Sequence, residues 1–364
     1  MTLKGKGIFI WRIPACENGD PRRIASLAKE ADFTHVLIKV ADTVNAYNIY
    51  DAVDHVPPLI RALKAHDIQV YGWHYVTGVD PLAEATRAIE RVQSLDLDGY
   101  VIDAEKEYKQ PGKREAARRF MGRLRESLPN KPIALCSYRY PSYHPQLPWS
   151  EFLESCDLNM PQVYWMLAHD AGNQLNRSVN EFYRMPPYRP MAPVGAAFRE
   201  HGWQPTPSEV LDFLTTARSL NLPAVSFFSW DSVRTALPDI WEVIRDFTWP
   251  TPPAEEDIPA RLIAALNTHD PEQVLACYTP NAVHLTSART VQGHAALRAW
   301  YQEFFINLLP SARFVLSSVT GSGNTRHFSW TATSSRGRVL DGSDTLGLSE
   351  EKIAYHYTFF TLSS

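Results

Sequence analysis

Eight short apolar runs recur between residues 7 and 230, their starts 26 to 35 residues apart, and this repeat restricts the fold more than any other feature of the chain. They are GIFIW (7–11), HVLIKVAD (35–42), VYGWHYV (70–76) and GYVIDAE (99–105), then PIALCSY (132–138), LNMPQVYW (158–165), PMAPVGAAF (190–198) and AVSFFSW (224–230). Segments with apolar residues at helical spacing fill the gaps. In PRRIASLAKEA (21–31), Ile24, Leu27, Ala28 and Ala31 share one face. VPPLIRALKAH (56–66) opens on prolines, which the first helical turn accommodates. KREAARRFMGRLRESL (113–128) and SEVLDFLTTARSL (208–220) behave alike, the latter with Ser208 in an N-cap position. Eight strands alternating with helices over about 250 residues is the layout of a (β/α)8, or TIM, barrel. An open doubly wound sheet is the competitor, but the glycine-rich first turn that marks one is missing here.

The repeat stops at TWPTPPAEED (248–257), where three prolines and a run of acids can neither extend a helix nor enter a sheet centre. The expected division is a barrel over 1–249, a proline-rich linker over 250–256 and a second domain over 257–364. In that domain DIPARLIAALNTH (257–269), PEQVLACY (271–278) and ALRAWYQEFF (296–305) read as helices. ARFVLSSVTG, RHFSWTATSS, RVLDGSDTLGL and KIAYHYTFFTL follow as strands, which indicates an α+β fold.

Composition narrows the function classes. A formal net charge of -4 argues against a nucleic-acid partner or an anionic membrane surface. No apolar run approaches the roughly 20 residues of a spanning helix. MTLKGKGIFIW passes straight into the first strand with no export signal, so cytoplasmic residence is expected, with secretion or release by lysis as the alternative. Cys16, Cys136, Cys156 and Cys277 lack paired spacing and are expected to be buried free thiols. No cluster of His, Cys and acids has metal-ligand spacing, so neither a metal nor a cofactor is expected.

Catalytic residues of such barrels lie at the C-terminal strand ends. The fourth run ends in VIDAE, and alternation puts Val101, Asp103 and Glu105 on one face, with Ile102 and Ala104 on the other. Two acids on an inner barrel face are desolvated and repel each other, which raises one pKa toward the range of a general acid. The structural alternative is an ion pair with Lys39.

LDGYVIDAE (97–105) resembles the fourth-strand signature of chitinase-type glycoside hydrolases, Asp-Gly-x-Asp-x-Asp-x-Glu. Asp98, Gly99, Asp103 and Glu105 match, and Val101 replaces the middle acid. The resemblance implies that Glu105 protonates the glycosidic oxygen while Asp103 orients a substrate N-acetyl group that attacks the anomeric carbon. QVYW (162–165) resembles the sixth-strand motif whose Tyr contacts that group, which points to Tyr164 and Gln162. FSWD (228–231) resembles the eighth-strand ending whose Trp floors the sugar site, which points to Trp230 and Asp231. VLIKVADTVNAYN (36–48), YGWHY (71–75) and the acidic pair are also similar to muramidase-type lysozymes, although Phe9 stands where those barrels place a first-strand acid. Trp11, Lys39, His74 and Tyr138 complete the candidate substrate-binding set, with a satisfied buried histidine as the alternative for His74. The expected activity is hydrolysis of an N-acetylhexosamine polysaccharide or oligosaccharide, chitin- or peptidoglycan-like. A non-catalytic carbohydrate-binding barrel is the alternative.

Residues 257–364 resemble the SnoaL-like, nuclear transport factor 2-like cone fold. The matching stretches are AALNTHDPE (264–272), CYTPNAV (277–283), QGHAALR (292–298) and KIAYHY (352–357). The resemblance implies a curved sheet around a helix, a small-ligand pocket in some members and a homodimer in others. Asp344 stands near where a pocket acid can occur; the favoured reading is a surface strand residue. A third possibility places the chain's activity in this pocket.

Overall fold

The structure, a computed structural model, describes residues 3–249, 257–321, 323–349 and 351–363; the expected linker 250–256 lies outside the described residues. The chain divides into two compact units, Met1–Pro250 and Thr251–Ser364.

The first unit is a closed barrel of eight parallel strands. They are β1 (Gly5–Ile10), β2 (Phe33–Asp42), β3 (Gln69–Val76), β4 (Gly99–Ala104), β5 (Ile133–Tyr138), β6 (Leu158–Val163), β7 (Val194–Ala196) and β8 (Ala224–Phe228). Successive strands pair, and β1 pairs with both β8 (Ile8 opposite Phe227) and β2 (Ile8 opposite Val36), which closes the ring. Around it run α1 (Pro21–Glu30), α2 (Val56–Lys64), α3 (Pro81–Ser94), α4 (Lys113–Ser127), α5 (Trp149–Leu153), α6 (Ala171–Tyr183), α7 (Pro207–Ser219), α8 (Trp230–Ala236) and α9 (Pro238–Asp246). All eight expected runs contain a barrel strand. The seventh shrinks to three residues, since Pro190 and Pro193 have no N–H to give a ladder.

Alternation sorts the strand side chains into two cores. Phe9, Tyr71, Trp73, Val101 and Met160 fill the lumen, while Ile8, Val36, Ile102 and Leu135 pack under the helices. A Cβ on Gly99 would stand 2.1 Å from the Tyr71 ring, so glycine is what admits that ring to the lumen. Lys6 is buried against the end of α9, donating to the carbonyls of Ile244 (2.8 Å), Arg245 (3.1 Å) and Phe247. Final carbonyls of a helix lack intrahelical partners, and this ammonium supplies them. Burial holds its pKa down to about 8.

The cap of α7 differs from expectation. Thr206, not Ser208, is the N-cap: its hydroxyl accepts from the Glu209 N–H, and the Glu209 carboxylate accepts from the Thr206 N–H at 2.8 Å. Pro207 has no N–H to cap and a φ preset for the first helical position, which moves the boundary upstream.

The second unit packs α10 (Ile258–Leu266), α11 (Pro271–Leu275) and α12 (Gly293–Glu303) on a largely antiparallel sheet. Its strands are β9 (Tyr278–Leu285), β10 (Thr290–Gln292), β11 (Arg313–Thr320), β12 (Thr325–Ser334), β13 (Gly337–Ser349), β14 (Lys352–Phe359) and β15 (Leu362–Ser363). The spatial order is β10-β9-β14-β13-β12-β11, with β15 paired to β13. All pairs are antiparallel except β9–β14. The sequence reading has no β9 or β10. Pro280 and Asn281 interrupt the apolar run, and the ladder shifts register between Tyr278 and Val283.

Replacing Thr206 by Ala should remove about 1 kcal/mol from the stability of the barrel. Ser208→Ala should leave it within about 0.5 kcal/mol. Urea unfolding of the two variants measures the difference.

Candidate active site

β4 carries its last lumen residue, Asp103, opposite Tyr75 of β3 and Cys136 of β5. Glu105 follows directly beyond the strand and is half-buried at the mouth. Gln162, on β6, reaches both acids: its amide nitrogen donates to Asp103 Oδ1 at 3.2 Å and to Glu105 Oε1 at 2.9 Å. One side-chain amide therefore ties the two carboxyls together. Asp103 is buried, and its carboxyl is pushed well above the ordinary range by that burial first and by the charge of Glu105 second; Lys39 pulls the other way.

Lys39 is not the partner of this pair. Its ammonium binds Asp42 at 2.7 Å, inside a box of rings that includes Tyr47 at 4.4 Å and Trp73 at 4.9 Å. A third acid, not singled out from the sequence, adjoins the pair: Glu107 accepts from the Tyr75 hydroxyl at 2.7 Å. Its signal was the every-second-residue spacing of acids in DAEKE (103–107). Tyr138 stacks on His144 with ring centroids 3.7 Å apart. Its hydroxyl is pushed up to about 12 by burial and then by Glu105, Glu107 and Asp103.

Glu105 and Gln162 line a cavity of about 580 Å³ walled by the rings of Trp11, Tyr164, Phe198 and Phe228. Arg12, Arg199 and Glu200 supply charges around it. Phe198 and Phe228 were missed because strand ends and loops fix which ring faces the mouth, and the sequence does not fix where those strands end. Asp231 lines the cavity too, but its carboxylate is occupied: it accepts from the backbone N–H groups of Trp11 (2.8 Å) and Arg12 (2.6 Å). It braces the loop that presents Trp11.

Two candidates lie elsewhere. Trp230 is fully buried beneath the helices, its ring against Phe33 and Trp241 and its N–H toward Glu17. The strand ends at Phe228, and Trp230 already belongs to α8, so strand alternation no longer applies to it. His74 points outward, bonded to the Tyr100 hydroxyl (2.7 Å) and the Thr43 carbonyl (2.6 Å). Trp73 and Tyr75 take the inner face on either side of it. Burial holds the imidazole down at about 4. At the far end of β4, Asp98 accepts from the Val70 N–H at 2.7 Å and does structural work away from the mouth.

In the second unit Asp344 is buried, which corrects the surface reading. It accepts from Trp330 Nε1 (2.9 Å), His356 Nε2 (2.8 Å) and the Thr358 hydroxyl. β13 turns Asp344 inward with Gly342 and Leu346, toward the core shared with the helices. His356 bonds on to Tyr278, and Tyr278 to Tyr301 at 2.6 Å. His284 stacks on His356 at 4.2 Å, and both of its own ring nitrogens are buried with no hydrogen-bond partner among the described residues.

The four cysteines are buried free thiols. Among the described residues, no group of three or more His, Cys, Asp or Glu is placed to hold a metal ion, and no helix is long and apolar enough to cross a membrane.

Comparison with known proteins identifies the second unit. Residues 260–356 match the family model described as a SnoaL-like domain. Among solved structures, a member of the SnoaL-like family from Agrobacterium tumefaciens is 25% identical, covering 29% of this chain and 94% of its own, with a TM-score of 0.25. A nuclear transport factor 2-like protein from Cytophaga hutchinsonii is 14% identical, covering 29% of this chain and 88% of its own, also with a TM-score of 0.25. No curated protein matches the chain. The protein thus joins a closed (β/α)8 barrel to a C-terminal SnoaL-like domain.

Two measurements check these placements. Trp230→Ala should destabilise the barrel by about 3–5 kcal/mol, as loss of a buried indole does, whereas Trp11→Ala at a 40% exposed ring should cost under about 1 kcal/mol. For His74, the unfolded chain takes up a proton below about pH 6.5 that the folded protein refuses down to about pH 4. Stability from the neutral ring is therefore present above pH 6.5 and lost as pH falls. Between pH 7 and pH 5, His74→Gln should lose about 2 kcal/mol less than wild type in urea titrations.

Proposed function

We propose that the barrel is a glycoside hydrolase acting on N-acetylhexosamine polymers, with Glu105 as general acid and base and Asp103 as its assistant. The observation that carries this reading is the Gln162 bridge: two carboxyls tied by one amide, one buried and one facing an aromatic-walled cavity. Flat rings suit the apolar faces of sugars, and the exposed edge of Trp11 together with Tyr164 offers them. Glu105, in its protonated form, gives its proton to the glycosidic oxygen as the bond to the anomeric carbon breaks. The substrate's own acetamido oxygen forms the new bond to that carbon, and Asp103 accepts from the acetamido N–H. Water then opens the cyclic intermediate, losing a proton to the Glu105 carboxylate, and configuration is retained. This is the substrate-assisted variant of glycoside hydrolysis rather than the two-carboxylate one. Val101 and Phe9, both in the lumen, stand where the two kinds of barrel this one resembles carry further acids.

The same two apolar residues favour a second reading, a barrel that binds glycans without cleaving them. Release of reducing ends from chitooligosaccharides and from peptidoglycan, with calorimetric binding in parallel, separates the two. A hydrolase should lose on the order of 10²-fold or more of its turnover in Glu105→Gln. Binding without release by wild-type protein would leave the second reading; neither binding nor release would sink both.

A further inference from the structure

The cavity at the barrel mouth has two cations to which the proposed reaction assigns no part. Arg12, on the loop after β1, has a side chain 56% exposed, and its guanidinium stands over the Trp11 ring at 5.4 Å. The acid nearest to it is Asp231 at 3.9 Å, and both oxygens of that carboxylate already accept backbone N–H groups. Arg199, beyond β7, is held by neutral acceptors. Its Nε donates to the Gln204 amide oxygen at 3.2 Å and one Nη to the Ala236 carbonyl at 3.4 Å, and no carboxylate among the described residues pairs with it. The other acids of the wall are engaged elsewhere: Glu105 accepts from Gln162 at 2.9 Å, and Glu200 lies 3.7 Å from the exposed imidazole of His201. Two guanidiniums thus line one cavity with more N–H donors than these contacts use.

We infer, resting on the reading of this cavity as a glycan site, that the bound glycan carries a carboxylate and that Arg12 and Arg199 select for it. A guanidinium fork meets a carboxylate through two parallel N–H···O bonds, so the contact fixes orientation as well as charge. A neutral chitin-like chain offers these cations only hydroxyls. Covering them with it would strip water from two charges and return no opposite charge. A singly charged group is the better match than a phosphate, whose second charge would meet Glu105 and Glu200 in the same wall. Two arrangements supply such a group. The acid is either ether-linked to the N-acetylhexosamine itself, as in a 3-O-lactyl sugar, or carried by a hexuronate as the neighbouring unit of the chain.

The test is calorimetric binding of matched oligosaccharide pairs to the full chain, each pair with its carboxylates intact or reduced to alcohols. One pair comes from strands containing a 3-O-lactyl N-acetylhexosamine, the other from chains alternating N-acetylhexosamine with hexuronate. Glu105→Gln serves as the common background, so that no ligand is cleaved during titration. In at least one pair the intact member should bind about tenfold or more tighter than its reduced twin. That preference should shrink with added salt, and the pair that shows it identifies the source of the acid. Arg12→Gln and Arg199→Gln should each cut the preference severalfold. Arg119→Gln, at an exposed arginine on α4, should leave it intact, and circular dichroism reports whether each variant folds. Equal binding within both pairs overturns the inference, and so does a preference that survives loss of either cavity arginine. Binding of no ligand overturns it together with the glycan reading. A preference without release of reducing ends by wild-type protein upholds it and sinks the hydrolase reading alone.

Discussion

Closing a parallel sheet on itself gives every strand one face in the lumen and one under the helices, with water excluded from both. Everything at the candidate site follows from that exclusion. A carboxyl at position 103 is on the lumen side whatever its chemistry, so it is desolvated, and its acidity is set by neighbours rather than by solvent. Those neighbours are fixed in turn by register, which brings Tyr75 and Cys136 alongside and lets Gln162 reach in from β6. The layer beneath holds the apolar side chains of Phe9, Trp73 and Val101, with Lys39 in register with Trp73. The acids thus stand on a largely apolar floor, and Gln162 reaches both of them from β6.

Much of this was legible in the sequence because a period of two runs through β3 and β4, although β2 shifts register against β3 between Lys39 and Ala41. The same alternation that placed Asp103 and Glu105 together also places His74 outside, between the inward rings of Trp73 and Tyr75, and a stricter use of it would have removed His74 from the site. Trp230 was illegible for a different reason. Its side chain is governed by the strand-to-helix turn after Phe228, and no pattern marks where one periodicity yields to the next. Phe198, Phe228 and Arg199 belong to the same blind region. Ser208 shows the reverse case: the Thr-Pro-Ser-Glu sequence of a capping box was present at 206–209, and Pro207 decides which hydroxyl is used.

In the SnoaL-like domain the helices and the long strands read plainly, while β9 did not, since a proline and a register shift hide its alternation. Asp344 was misplaced because GlySerAspThr looks like a polar surface segment. β13 is bent by a shift against β12, and what that shift turns inward is a carboxylate. Trp330, His356 and Thr358 then supply the donors that make its burial tolerable. An isolated strand pattern cannot reveal a residue whose partners come from two other strands.

The Gln162 bridge has an electrostatic meaning as well as a structural one. One amide nitrogen donates to both carboxyls, while burial and the charge of Glu105 push the Asp103 carboxyl upward. The two acids therefore do not act as separate groups: whatever draws that amide away unsettles both at once.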